Sequence, residues 1–197
     1  MDLHFKDVSN HSDLQEYIAL GLKKGKKINM EIGYGSGIVL RKRVLKETDS
    51  LHIGFEIKGK FVNRLKKFIK KWNVKNLFVD VVDAKYVIPR FVPENSLDKI
   101  FIYYPDPWWK KKHKKYILFD YYFMADLYRT LKPGGILNIK TDVKDYFDLI
   151  SEQFKNFEHF KETEFDDFTA DENQSTFEMK AIEEGRSLHK IAFTKEV

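Results

Sequence analysis

No cysteine occurs among the 197 residues, which excludes disulfide staples, thiolate metal sites and a cysteine nucleophile. Apolar runs are short, and none approaches the roughly 20 residues of a membrane span. The opening stretch, MDLHFKDVSNHSD, has neither the basic nor the apolar block of a signal peptide. These absences predict a cytoplasmic protein without membrane association. The six histidines, His4, His11, His52, His113, His159 and His189, are scattered with no ligand spacing, so no metal site is expected. Neither an internal repeat nor a linker interrupts the chain.

What is present fits one globular domain over 1–197, with a helical and basic segment at 1–27 and a core at 28–197. The composition is 43% hydrophobic and 33% charged, enough for a sizeable core. Seventeen Phe, ten Tyr and three Trp supply rings for that core and for planar ligands. Lys and Arg number 35 against 30 Asp and Glu, a net charge of +5. The cations cluster at 23–27, 41–46, 58–75 and 110–115, whereas 158–172 is mostly acidic. Such clusters favour a polyanionic partner, although a Lys-rich surface also suits proteins of hot environments.

The apolar pattern predicts an α/β fold. Runs at 28–32, 51–55, 77–82, 99–104 and 136–141 read as strands, and the segments between them have helical period. Strands separated by helices imply an open, mostly parallel sheet with helices on both faces. Ser12 and Gln15 have capping-box spacing and open a helix that Gly25 closes. A helix over 59–72 turns Phe61, Val62, Leu65, Phe68, Ile69 and Trp72 inward and a lysine-rich face to solvent. Further helices at 119–131 and 143–155 bury Phe119, Tyr122, Phe123, Leu127 and Leu131, and Tyr146, Phe147, Ile150 and Phe154. Two more strands are expected near 160–165 and 188–194, with a polar loop between.

The first strand ends in Glu31-Ile32-Gly33-Tyr34-Gly35-Ser36-Gly37 and leads straight into helical sequence. Glycines at such a turn let a ligand approach the backbone and permit positive φ. The spacing departs from the G-x-G-x-x-G of pyrophosphate sites, and the Glu31 carboxylate would repel a pyrophosphate. It suits instead the ammonium and sulfonium of S-adenosylmethionine, with a dinucleotide or a merely structural turn as the alternatives. Glu56, at the tip of the second strand, is placed to accept from ribose hydroxyls, and Asp83, after the third, from an adenine amino group. Either acid alone would also serve as a helix N-cap. The fourth strand runs into Pro105-Asp106-Pro107-Trp108-Trp109 and then a basic stretch from Lys110 to Lys115. Flanking prolines could simply stiffen this turn, with the tryptophans plugging the core, or hold a buried acid at Asp106. Beside a donor site, the Asp106 carboxylate also matches guanine, whose N1–H and 2-amino group are donors and whose N7 needs no deprotonation before attack.

Taken with Thr141-Asp142 and Ser175-Thr176-Phe177-Glu178, these motifs resemble the bacterial tRNA (guanine-N7)-methyltransferases over nearly the whole chain. Lys112 stands where that family usually has Arg, Lys115-Tyr116 where two Arg often stand, and Ser175 where Thr is usual. The resemblance implies a Rossmann-like class I methyltransferase fold of about seven strands, the last antiparallel. It implies methyl transfer from S-adenosylmethionine to guanine N7 in the tRNA variable loop (position 46), by a monomer or homodimer. Asp106 is then the active-site acid. Glu31, Gly33, Gly35, Gly37, Glu56, Asp83 and Asp106 would line the donor site. Lys110, Asp142, Ser175, Thr176, Phe177 and Glu178 would meet the RNA. A methyltransferase for proteins or small molecules, and an RNA-binding module without activity, are the competing readings.

Overall fold

The computed structural model describes residues 11–107, 118–166, 168 and 174–196. In chain order the elements are α1 (Ser12–Lys23), β1 (Ile28–Ile32), α2 (Ile38–Lys46), β2 (Leu51–Glu56), α3 (Gly59–Trp72), β3 (Leu77–Val81) and α4 (Ala84–Phe91). There follow β4 (Leu97–Tyr103), α5 (Tyr121–Thr130), β5 (Leu131–Thr141), α6 (Lys144–Lys155), β6 (Phe160–Thr163), α7 (Thr176–Glu183) and β7 (His189–Lys195). One seven-stranded sheet results, in the order β3-β2-β1-β4-β5-β7-β6. β1 to β5 pair in parallel, and β7 runs antiparallel between β5 and β6. The chain builds outward from β1 to β3 and then returns to lay β4 on the other side of β1. The connections from these two neighbours leave in opposite directions, so a crevice opens at their carboxyl ends.

Strand residues alternate between the two faces with a period of two. Ile28, Met30, Ile32, Ile53, Phe55, Ile100, Ile102, Leu137 and Ile139 enter the main core with residues of α1, α4, α5 and α6. Each such side chain contributes about 1.5–3 kcal/mol through the apolar area it removes from water. The other face is more polar. There α2 and α3 pack Leu40, Val44, Val62 and Leu65 on Leu77 and Val79, while Asn29, Glu31, His52, Asn138 and Lys140 are also buried. Arg43 of α2 is buried among them, its guanidinium 3.7 Å from the Phe101 ring centre and 4.0 Å from that of Phe168, and it pairs with Glu47 at 3.0 Å.

Several local expectations need correction. His11, not Ser12, is the N-cap of α1, and no side-chain cap bond forms there; Ser12 already belongs to the first turn. Trp72 is 62% exposed and Tyr122 81% exposed. Trp72 ends α3 beyond the reach of the sheet, and Tyr122 lies in the first turn of α5, ahead of the segment that buries Phe123 and Leu127. β5 begins earlier than its apolar run, because the Pro133-Gly134-Gly135 turn is absorbed as a shift in pairing from Leu97↔Leu131 to Lys99↔Ile136. The interval read as a polar loop before the last strand contains α7. Its signal was Ser175-x-x-Glu178, a capping box that the structure forms in both directions.

Candidate active site

Glu31, Glu56, Asp83, Asp106 and Asp142 all lie at or just past the carboxyl ends of their parallel strands, around the crevice between β1 and β4. Glu31 is buried, and its Oε2 has no hydrogen-bond partner among the described residues. Burial pushes its pKa up to about 7 against the opposing pull of Arg43. Among the described residues no cation lies within ion-pair distance of this carboxylate. The loop beyond it takes positive φ at Gly33 (72°) and Gly35 (53°), and a Cβ on either would point into open space. Room for a ligand therefore adjoins the unpartnered acid. Gly37 has a different reason to be glycine: it is the left-handed N-cap of α2, and a Cβ there would come within 2.1 Å of Leu65 Cδ1.

Glu56 holds this loop in place. Its Oε2 accepts from the Gly35 N–H at 2.9 Å and its Oε1 from the Lys58 N–H at 2.9 Å. A carboxylate has about four lone-pair sites, so both oxygens keep capacity for hydroxyl donors. Asp83 is the N-cap of α4, accepting from the Lys85 N–H at 2.9 Å. It remains half-buried at the rim.

On the other side of the crevice, β4 ends at Tyr103, and Tyr104 turns the chain with φ at 53°, a region that costs an aromatic residue energy. Its N–H is held by the Lys140 carbonyl at 2.8 Å. The turn lifts Pro105-Asp106-Pro107 off the sheet, so Asp106 is exposed rather than buried as the proline-flanked sequence suggested. Lys110 and the basic run through Lys115 lie outside the described residues.

α7 crosses this opening. Glu178 is not the surface acid its sequence allows: it is 3% exposed and bonds Lys140 Nζ at 2.7 Å in a buried ion pair. Ser175 Oγ accepts from the Glu178 N–H at 3.0 Å. Thr176 Oγ1 lies 3.4 Å from Ser36 Oγ in the glycine loop, and the exposed Phe177 stacks on Tyr104 with ring centres 6.0 Å apart. Thus Ser175 to Phe177 adjoin the crevice, while Glu178 anchors them from below. Asp142 does not face the crevice alone: it forms an ion pair with Arg186, just beyond α7. Arg43, from the 41–46 cationic cluster, and Lys140 are buried rather than on the surface. A cation at an inward helical position of α2, and one on a strand buried on both faces, were the available signals.

The fold is that of a methyltransferase of the Rossmann-like class. Among solved structures, an antibiotic-related methyltransferase matches with a TM-score of 0.63 at 20% identity, covering 98% of this chain and 97% of that one. A 30S ribosomal A1408 methyltransferase from an uncultured bacterium matches with a TM-score of 0.63 at 20% identity, covering 92% and 93%. Residues 25–191 match the family model described as "Putative methyltransferase", and the chain belongs to that family. The relatives found agree with the resemblance read from the motifs. A tRNA (guanine-N(7)-)-methyltransferase of Thermotoga maritima is 30% identical over 170 residues, 86% of this chain and 54% of that protein. One of Wolbachia pipientis wMel is 37% identical over 146 residues, 73% of this chain and 66% of that protein. This chain thus spans about half the length of the Thermotoga relative. Among the described residues, no helix is long and apolar enough to cross a membrane, and no cluster of three or more His, Asp or Glu could hold a metal.

Proposed function

We propose that this chain is a single methyltransferase domain of the cytoplasm that methylates guanine N7 in tRNA, at position 46 of the variable loop, with S-adenosylmethionine as donor. The observation that carries this reading is the buried, unpartnered Glu31 oxygen beside an open positive-φ glycine turn, with an exposed Asp106 just past the end of the neighbouring strand β4. The donor supplies an electrophilic methyl group. Glu31 receives the cationic amino-acid end, Glu56 takes the ribose hydroxyls while keeping the loop bonded, and Asp83 lies at the adenine side. Asp106 accepts from guanine N1–H and the 2-amino group, which selects guanine over adenine and balances the charge the base gains as its N7 lone pair bonds the methyl carbon, whose bond to sulfur breaks with S-adenosylhomocysteine as the leaving group. No base is needed, because no proton leaves N7. Asp142, Ser175, Thr176 and Phe177 stand on the substrate side, with Glu178 holding α7 in position, and the resemblance assigns Lys110 an RNA contact.

Incubation with labelled donor and unmodified tRNA, followed by nucleoside analysis, tests the reaction. Label is expected in 7-methylguanosine; label in another nucleoside, or none, overturns it. For the donor site, Glu56→Ala removes the acceptor of two backbone N–H groups and of the ribose. Its donor affinity should fall by about 1.5–3 kcal/mol, roughly 10- to 150-fold, with tRNA affinity nearly unchanged. Calorimetry on the folded variant reads this directly, and an unchanged donor affinity refutes the assignment.

A further inference from the structure

The outward ridge of α3 takes no part in the chemistry above. Val62 and Leu65 are the buried side of this helix, and the direction opposite them is occupied by Lys60, Arg64, Lys67 and Lys71, all exposed. Lys66 and Lys70 flank the ridge, and no Asp or Glu occurs between Glu56 and Asp80. None of these six cations has a carboxylate partner among the described residues. Other surface helices of the same protein differ: α6 pairs Lys144 with Asp148, and Lys180 of α7 pairs with Glu184 at that helix's C-cap, each four residues apart. A solvated helix gains from such pairs and loses from like charges at that spacing. An acid-free ridge therefore forgoes stability that α6 and α7 retain, and an external polyanion would restore it.

The ridge is also well placed. β2 delivers the chain to the crevice at Glu56, and the Lys58 N–H is bonded to that carboxylate, so Lys60 starts near the mouth. Lys71 lies about 16 Å further down the helix at 1.5 Å per residue. One strand of a nucleic-acid duplex carries a phosphate about every 3.4 Å, so this length meets four or five of them. α3, α2 and the Glu178 end of α7 share one face of the sheet, and Arg41 of α2 lies over the Phe68 ring at 5.7 Å, extending the cationic surface toward the crevice.

We propose that the α3 ridge is a docking surface for the sugar-phosphate backbone of the RNA substrate, which it holds along the side of the domain while a base enters the crevice. This rests on the reading of tRNA as substrate. The test is a quadruple variant, Lys60→Gln, Arg64→Gln, Lys67→Gln and Lys71→Gln, compared with the parent by filter binding of one unmodified tRNA across a salt series. Each lost phosphate contact removes roughly 0.7–0.9 from the slope of log affinity against log salt, so the variant's line should be shallower by about three. Its KM for tRNA should rise, with kcat at saturating tRNA and donor affinity unchanged; the donor measurement also verifies folding. A Lys67→Gln and Lys71→Gln double variant should show about half the slope change. Parallel salt lines overturn the proposal. So does binding to phosphatidylserine vesicles that the quadruple variant loses while its tRNA lines stay parallel, which would make the ridge a membrane contact. If neither protein forms 7-methylguanosine but the slopes still differ, the ridge stands and the assigned reaction falls.

Discussion

Asp106→Asn is expected to lower methyl transfer to tRNA by about 100- to 1,000-fold while changing donor affinity less than about threefold. The scale is that of removing one preorganised electrostatic partner from a reacting centre. Asparagine keeps the size of the side chain between Pro105 and Pro107 but replaces two acceptor oxygens with one oxygen and an amide donor. That amide would oppose the donors on the guanine edge, and the carboxylate charge that balances the methylated base would be gone. Asp106 is exposed in the described structure, so the variant should be as stable as the parent. Single-turnover measurement with saturating donor isolates the step. A rate close to the parent's would remove Asp106 from the chemistry.

Glu31→Gln should abolish the pH dependence of donor binding and stabilise the ligand-free protein. In the parent, burial raises the Glu31 pKa from 4.5 to about 7. Binding a cation requires the ionised form, so donor affinity should rise with pH through about 7. It should be about tenfold weaker at pH 6 than at pH 8, with a proton released on binding below pH 7. Glutamine cannot ionise, so its profile should be flat, with affinity at pH 8 lower by about 1.5–3 kcal/mol. The stability effect has the opposite sign. A carboxyl whose pKa is higher in the folded state than in the unfolded one favours folding while protonated, and that advantage is lost as pH rises from about 4.5 to about 7. At pH 8 the loss is on the order of 2–4 kcal/mol, so Glu31→Gln should raise Tm there by about 5 °C or more. Calorimetric titrations at several pH values, with thermal melts of both proteins at pH 5 and pH 8, check both halves. A parent whose donor affinity does not change between pH 6 and pH 8 would contradict the role.

Much of the architecture was legible because strands and helices announce themselves locally. β1 and α3 have the limits their apolar patterns predict, 28–32 and 59–72, since a period of two or of 3.6 depends only on neighbouring residues. The crevice followed from strand order, and with it the grouping of Glu31, the glycine turn and Glu56. Exposure was harder to read. Trp72, Tyr122 and Asp106 each lie at an element's end or on a loop, where the sequence period no longer says what lies opposite.

Sequence alone thus determined the parallel α/β layout, the glycine turn after β1 and the acids at the strand ends, because backbone conformation at glycine and the periodicity of apolar side chains are local properties. Only the tertiary structure decided which charges meet. Lys140 finds Glu178, 38 residues away, and Arg186 finds Asp142 across α7; Arg43 is sandwiched between Phe101 and Phe168. No spacing along the chain encodes such pairs. A buried charge must be neutralised by whatever partner the packed elements bring within reach, and that partner is chosen by the fold as a whole.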